Sequence, residues 1–371
     1  MKQLIKFPNE ELLAAQGPFV TIYQSVELTL PNAEAEQVKF KNQLKKAQTQ
    51  VKNECLGDDC DGLLHQLDQA PNDKKFWSIK KGSVAFFFTP KETFYYRLQT
   101  PVKDLIEFGD RPTILPIIEE FQYIENYYLL CLSNREMSLY RGALDQIERV
   151  ELPDDAPTTL EIALGEELTR SQQLNAGGGG SGMIHGTNEK SDELDIDQEN
   201  YYRAVDKYVF EHFSRDEQLP LVLFALTENQ AVFRQLSKNS YLRDNKIEAS
   251  PAQLDEKAIQ KEAAKLISDL MTQRHSETIR RYEETTPQYK LGDQYQDLTS
   301  ASLEGRIESL FIEKDVEIKG SIDENGQLGY EGNENFLNQL ALNVLATNGK
   351  VYVLDRAKMP GLKDVAAILR Y

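Results

Sequence analysis

Apolar residues recur along the chain with two periods, one near two residues and one near three and a half, and each predicts its own kind of element. Residues 17–26 (GPFVTIYQSV), 83–88 (SVAFFF) and 93–98 (TFYYRL) read as strands, with lysine-rich and leucine-rich helical stretches between the first two. PTILPIIEEF (112–121) reads as a helix, followed by a strand at 127–133, a turn at 134–136 and a paired strand at 137–142. Over 158–168, Leu160, Ile162 and Leu164 alternate with polar residues, which predicts a half-buried strand. The stretch 191–213 opens with acids and then places Ile196, Tyr201, Ala204, Val205, Tyr208, Val209 and Phe213 close to helical spacing. PLVLFAL (220–226) has the length of a buried strand.

Beyond residue 240 the pattern changes to a long amphipathic helix at 254–284, apolar at Ile259, Ala263, Leu266, Ile267, Leu270 and Met271. A strand at 308–314, a helix at 336–349 stopped by Asn348-Gly349, and a strand at 350–355 follow. This alternation predicts a small α/β sandwich. Three α/β blocks are therefore expected: a lysine-rich block at 1–111, a mixed-sheet block at 112–239, and the sandwich at 240–371.

Composition narrows the class. With 371 residues and 40% hydrophobic content, each block can bury a core. No apolar run is long enough to span a bilayer, and MKQLIKFPNEELL has charges where a signal peptide needs its apolar centre, so a cytoplasmic protein is expected. The cysteines, Cys55, Cys60 and Cys131, are too few and odd in number for a disulfide framework. A net charge of −18 argues against a dedicated DNA-binding protein. Its distribution is uneven, however. Residues 38–52 carry Lys39, Lys41, Lys45, Lys46 and Lys52 with no acid, and KKFWSIKK (74–81) adds four more lysines. Such runs are either solvated faces or local contacts for a polyanion.

Reaction chemistry is sparse. His65, His185, His212 and His275 are scattered without a zinc-binding frame, and no metal or cofactor is expected. DELDIDQE (192–199) lacks the glycine and closing glutamate of a calcium loop, and its acids suit a helix start. No GxSxG elbow is present.

Between the expected strand at 158–168 and the helix at 191–213 lies NAGGGGSGMIHG (175–186), with five glycines in six positions. It lacks the lysine and hydroxyl of a P-loop, and its glycines are out of register with GxGxxG. A surface insertion, an artificial linker of the GGGGS kind, and a mobile tip that lets backbone approach a crowded or charged surface all remain open.

The order of these pieces resembles the bacterial branch of the archaeo-eukaryotic release factor family, relatives of the eukaryotic class I release factor and of Pelota. The resemblance is carried by residues 82–118, the glycine loop with DELDIDQENYYRAVDKYV, PLVLFALTENQAVFRQLS, SLEGRIESLFIEK, and the ending VYVLDRAKMPGLKDVAAILRY. It implies a three-domain release-factor-like α/β architecture and a middle-domain loop that reaches the peptidyl-transferase centre. That loop would comprise Gly177, Gly178, Gly179, Gly180, Gly182, Met183, His185 and Gly186. Release factors of this family carry Gly-Gly-Gln at the tip; here no glutamine follows the glycines, and no stop-codon motif is found in the first block. By resemblance to Balon-like hibernation factors, a non-enzymatic occupant of the ribosomal A site is expected, touching 16S and 23S rRNA. Lys39, Lys41, Lys45, Lys46 and Lys52 would meet phosphates, and elongation factor Tu or another translation GTPase would be its partner, with no membrane and no DNA. The alternative is a rescue or release factor that hydrolyses peptidyl-tRNA with a non-standard loop, His185 acting on water.

Overall fold

The computed structural model describes residues 1–26, 33–55, 57, 59–71, 73–78, 82–124, 126–144, 146–165, 187–323, 326–329 and 334–371. The chain divides into two units, one formed by Met1–Ile124 with Met271–Tyr371 and the other by Glu125–Leu270. The first sequence block thus shares a unit with residues 271–371 of the third, residues 112–124 lie with them, and residues 240–270 lie with the second block.

The first unit begins with β1 (Lys2–Leu4), α1 (Glu10–Ala14), β2 (Phe19–Val26), α2 (Ala33–Glu54), α3 (Asp59–Asp68), β3 (Gly82–Phe88), β4 (Thr93–Leu98), β5 (Leu105–Gly109) and α4 (Leu115–Phe121). The strands form one sheet in the order β1-β4-β3-β2-β5. Every position of β3 is buried, because both faces of the sheet are covered. Val20, Ile22, Val84, Phe86 and Phe88 point to a cluster with Phe40, Ala47 and Val51 of α2 and Leu63 and Leu67 of α3. The alternate positions Phe19, Tyr23, Ala85 and Phe87 join a second cluster shared with Leu310, Leu337, Leu340 and Val351 from the C-terminal half. The period of two in the side chains sorts these residues between the two cores. Cys55 and Cys60, at the turn between α2 and α3, are joined by a disulfide with Cα atoms 5.8 Å apart, a local link and not a disulfide framework.

The second unit contains β6 (Tyr127–Leu132), β7 (Met137–Ala143), β8 (Gln146–Arg149), α5 (Leu160–Leu164), α6 (Thr187–Val209), α7 (Arg215–Glu217), β9 (Leu221–Ala225), α8 (Thr227–Leu236), β10 (Leu242–Glu248) and the start of α9 (Glu256–Glu284). Its sheet, in the order β10-β9-β6-β7-β8, is mixed: β9 runs parallel to β6 and β10, while β6, β7 and β8 form an antiparallel meander. The amide of Gln230 donates to the carbonyls of Leu223, Ala225 and Ile247, tying α8 to two parallel strands. The strand expected at 158–168 is instead the helix α5. Thr159 caps it by accepting from the Ile162 N–H at 3.2 Å, and Gly165 ends it at φ +50°. Ile162, 47% exposed, is one of the apolar residues that made the stretch look like a strand.

The chain returns to the first unit along α9, then adds β11 (Lys290–Leu291), α10 (Tyr295–Leu303), β12 (Ile307–Glu313), a small hairpin of β13 (Ser321–Ile322) and β14 (Leu328–Gly329), α11 (Phe336–Ala346), β15 (Lys350–Leu354) and β16 (Val365–Leu369). The main sheet here has the order β11-β16-β12-β15 and mixes parallel and antiparallel pairs. The whole is therefore a mixed α/β protein with several mixed sheets. Among the described residues no helix is long and apolar enough to cross a membrane.

Residues 112–124 are held to this C-terminal half by amides. The Asn338 Nδ2 group donates to the Pro112 carbonyl at 2.9 Å and its Oδ1 accepts from the Ile114 N–H at 2.8 Å, all buried. Gln122 exchanges two hydrogen bonds with the backbone of Val353, at 3.0 and 2.7 Å. Lys314 pairs with Glu119 at 2.7 Å. These partners explain why PTILPIIEEF sits with the first unit: its otherwise orphaned backbone groups are satisfied there.

Replacing Asn338 by Ala should lower stability by about 2–4 kcal/mol, measured by urea unfolding, because two buried backbone groups lose their partner. Glu120 offers a second check. Its carboxylate accepts from the Gln99 N–H at 2.9 Å and the Thr100 N–H at 3.0 Å, yet burial pushes its pKa up to about 7 from 4.5. The native chain thus binds more protons than the unfolded chain between pH 4.5 and 7. Stability should fall as pH rises through that window, by up to about 3 kcal/mol in total. In Glu120→Gln the amide oxygen still accepts both N–H groups, so its urea midpoint should lose this slope and exceed that of the wild type at pH 8.

Candidate nucleic-acid interface

Helix α2 owes its orientation to a buried stripe. Glu36, Phe40, Gln43, Ala47 and Val51 recur every three or four residues and face the sheet. Phe40 stacks on Phe86 with ring centres 4.7 Å apart and lies 4.9 Å from Trp77. The polar members of the stripe are satisfied across the contact: Gln24 donates to the Glu36 carbonyl and carboxylate at 3.0 and 2.8 Å, and Gln43 donates to the Tyr23 carbonyl at 3.2 Å. With one side of the helix fixed, the opposite side is set as well.

That side carries Lys41, Lys45, Lys46 and Lys52, all exposed. At 3.6 residues per turn, Lys41, Lys45 and Lys52 fall along one line and Lys46 about 100° to its side, a row roughly 16 Å long. None of the four forms an ion pair with a described residue. Lys39 differs. Its ammonium donates to the Ser25 carbonyl at 2.9 Å and pairs with Asp104 at 2.9 Å, so it serves to close the end of β2 against the chain before β5. Nothing local in the sequence signals this, because Asp104 is distant along the chain. Asp68 of α3 also approaches the helix, accepting from Gln48 at 2.7 Å. Of the second basic run, Lys74 pairs with Glu34 at 3.3 Å, Trp77 is buried, and Lys80 and Lys81 lie outside the described residues.

The glycine loop belongs to the second unit by sequence position. Gly177, Gly178, Gly179, Gly180, Gly182, Met183, His185 and Gly186 lie outside the described residues. Its flanks are described. On the near side stands α5; on the far side, α6 buries Tyr201, Tyr202, Val205 and Val209. The Tyr201 hydroxyl donates to the Thr158 carbonyl at 3.3 Å, joining the helix after the loop to the segment before it. Asp206, buried on α6, accepts from the Ser237 hydroxyl at 2.5 Å and the Lys238 N–H at 2.8 Å, holding that helix to the end of α8.

Burial pushes the Cys131 thiol up to about 12, which keeps it protonated and unreactive. His212 is exposed, and His275 is bonded to Tyr123. Among the described residues no three histidine, cysteine or acidic side chains gather to hold a metal ion. The described parts supply a braced helix with a cationic face and rigid supports on both sides of the glycine stretch. They supply no assembled catalytic group.

Comparison with known proteins adds a family. Residues 125–269 match the model of bacterial archaeo-eukaryotic release factor family 6, an extent that coincides with the second unit to within one residue. No curated protein matches the sequence. Among solved structures, the chain is similar to Saccharomyces cerevisiae Dom34, a translation termination-like factor, at 12% identity and TM-score 0.39 over 85% of this chain and 78% of that one. It is also similar to archaeal Pelota, from a model of the ribosome-bound protein with ABCE1, at 10% identity and TM-score 0.39 over 97% and 91% of the two chains. The archaeal termination factor aRF1 shows 11% identity and TM-score 0.24 over 98% and 96%. Over its second unit, then, the chain is similar to bacterial archaeo-eukaryotic release factor family 6.

Proposed function

We propose that the protein is a ribosome-binding translation factor that occupies the A site of idle ribosomes without hydrolysing peptidyl-tRNA. The observation that carries this reading is the loop inside the family-matched segment. Where a release factor of this family carries Gly-Gly-Gln, this chain reads GGGGSGMIHG. The amide that would help position water on the peptidyl ester is missing, while glycines still permit backbone to pass close to RNA and present N–H groups to phosphates.

The exposed lysines of α2 support the same reading. An acidic chain of net charge −18 is repelled at long range by rRNA, so association needs a local cationic face and is helped by a protein partner. Lys41, Lys45, Lys46 and Lys52 form such a face. Lys39, engaged with Asp104, is not counted among the phosphate contacts. A translation GTPase such as elongation factor Tu is the proposed partner that delivers the factor. Helix α2 would then face rRNA while the second unit directs its loop toward the peptidyl-transferase centre.

The test is co-sedimentation with 70S ribosomes from starved cells across a salt series. Wild-type affinity should fall steeply with salt as condensed counterions are released. Replacing Lys41, Lys45, Lys46 and Lys52 by Ala should weaken binding and reduce the slope of log affinity against log salt by about 3, given roughly 0.7–0.9 per phosphate contact. All four sites are exposed, so the variant should unfold at the wild-type urea concentration. Absence of the wild type from every ribosomal fraction would sink the proposal, and an unchanged slope would make the lysines a solvated face only.

A further inference from the structure

A cavity of about 520 Å³ opens in the first unit between the last turns of α9, the start of β11 and the turn at 357–361. Its lining includes none of the lysines of α2. Its lining combines an apolar part, Ile279, Tyr282 and Met359, with three nitrogen donors, His275, Lys290 and Lys358. The volume suits a single small ligand or the last residue or two of a peptide.

Each wall is braced independently of any occupant. The Tyr282 ring meets the edge of Phe311 at 5.6 Å between centres. The Lys290 ammonium lies 4.8 Å over that same Tyr282 ring and donates to the Glu283 carbonyl at 3.1 Å, which fixes its position and leaves two of its three protons for a ligand. His275 is hydrogen-bonded through Nδ1 to the Tyr123 hydroxyl at 2.9 Å, leaving Nε2 as its second hydrogen-bonding atom. The turn opposite is pinned by Arg356, which pairs with Glu313 and with Asp364 at 2.6 Å, and Met359 is buried beneath it. A cavity with walls already ordered loses little conformational freedom on binding.

The charge balance selects the ligand. Lys290 makes no ion pair among the described residues, and Lys358 is only loosely held by Asp355 at 3.4 Å. Partial burial, and after it the charge of Lys358, push His275 down from its ordinary value. Glu283 also lines the cavity, so with Asp355 two carboxylates already offset the two ammonium groups. A dianionic phosphate would add more uncompensated negative charge than a monoanion, which favours the monoanion.

We propose that this cavity binds an organic carboxylate bearing one apolar or aromatic group, its head on Lys290, Lys358 and His275 and its body on Ile279, Tyr282 and Met359. The carboxylate is either a free small acid or the C-terminal residue of a peptide, and the two share this chemistry.

The experiment follows the Met359 methyl resonance of the full chain, ¹³C-labelled at methionine, during titration with N-acetyl-phenylalanine and with its amide. In parallel, Ala-Ala-Phe is titrated with a free and with an amidated C-terminus. The Met359 signal should shift saturably with the acids, and the amides should bind roughly tenfold more weakly. Lys290→Met and Lys358→Met should each weaken the acids by about two- to fivefold, with Lys41→Met unchanged. Tighter binding of the single residue assigns the site to a small acid, and tighter binding of the tripeptide assigns it to a chain end; either result supports the proposal. No saturable shift, equal affinity for acid and amide, or unaltered affinity in both lysine variants would overturn it.

Discussion

The two-sided burial of strands β2 and β3 is the constraint on which the first unit rests. An isolated sheet buries one face; here alternate residues of the same strands enter different cores. Phe86 and Phe88 pack under α2 and α3, while Ala85 and Phe87 pack with the C-terminal half. Slipping either strand by one residue would exchange the two sets and empty both cores at once. Segments separated by the entire second unit in sequence are thereby fixed to one another. The placement of α2, and of its lysines, follows from the first core. The placement of 112–124, with Asn338 and Gln122 as its clasps, follows from the second.

Charge then acts on a scaffold that is already rigid. The chain is acidic as a whole, and α2 presents a cationic face on its exposed side while its other side is locked by Phe40, Ala47 and Val51. The second unit contributes a different property. Gln230 ties α8 to two parallel strands, and Asp206 ties α6, the helix after the glycine stretch, to the end of α8. On the proposed reading, the cationic face and the glycine stretch would together suit structured RNA, and the missing glutamine would separate that binding from ester hydrolysis.

Most regular elements could be read from periodicity because their burial is simple. SVAFFF and TFYYRL are strands as expected, and the helix expected at 254–284 runs over Glu256–Glu284. The failures have physical causes. Leu160, Ile162 and Leu164 alternate like a strand, but Thr159 offers a cap and Ile162 is left exposed, so the local chain closes into a helix. Lys39 looks like its neighbours until Asp104 arrives from a distant loop. Residues 112–124 lie with the first unit, and no local pattern signals it, because the partners of Pro112 and Ile114 are on the distant Asn338. The same applies to the cavity around His275, Lys290 and Lys358, whose three segments carry no shared motif.

Occupying the ribosome without cleaving its ester is the central claim, and peptide release measures it directly. Ribosomes carrying labelled peptidyl-tRNA, with an empty A site, are incubated with saturating protein and the freed peptide is counted while binding is followed in the same sample. The account predicts bound protein with release no faster than in its absence. Release above that background, lost on His185→Ala, would contradict it and make the glycine loop hydrolytic.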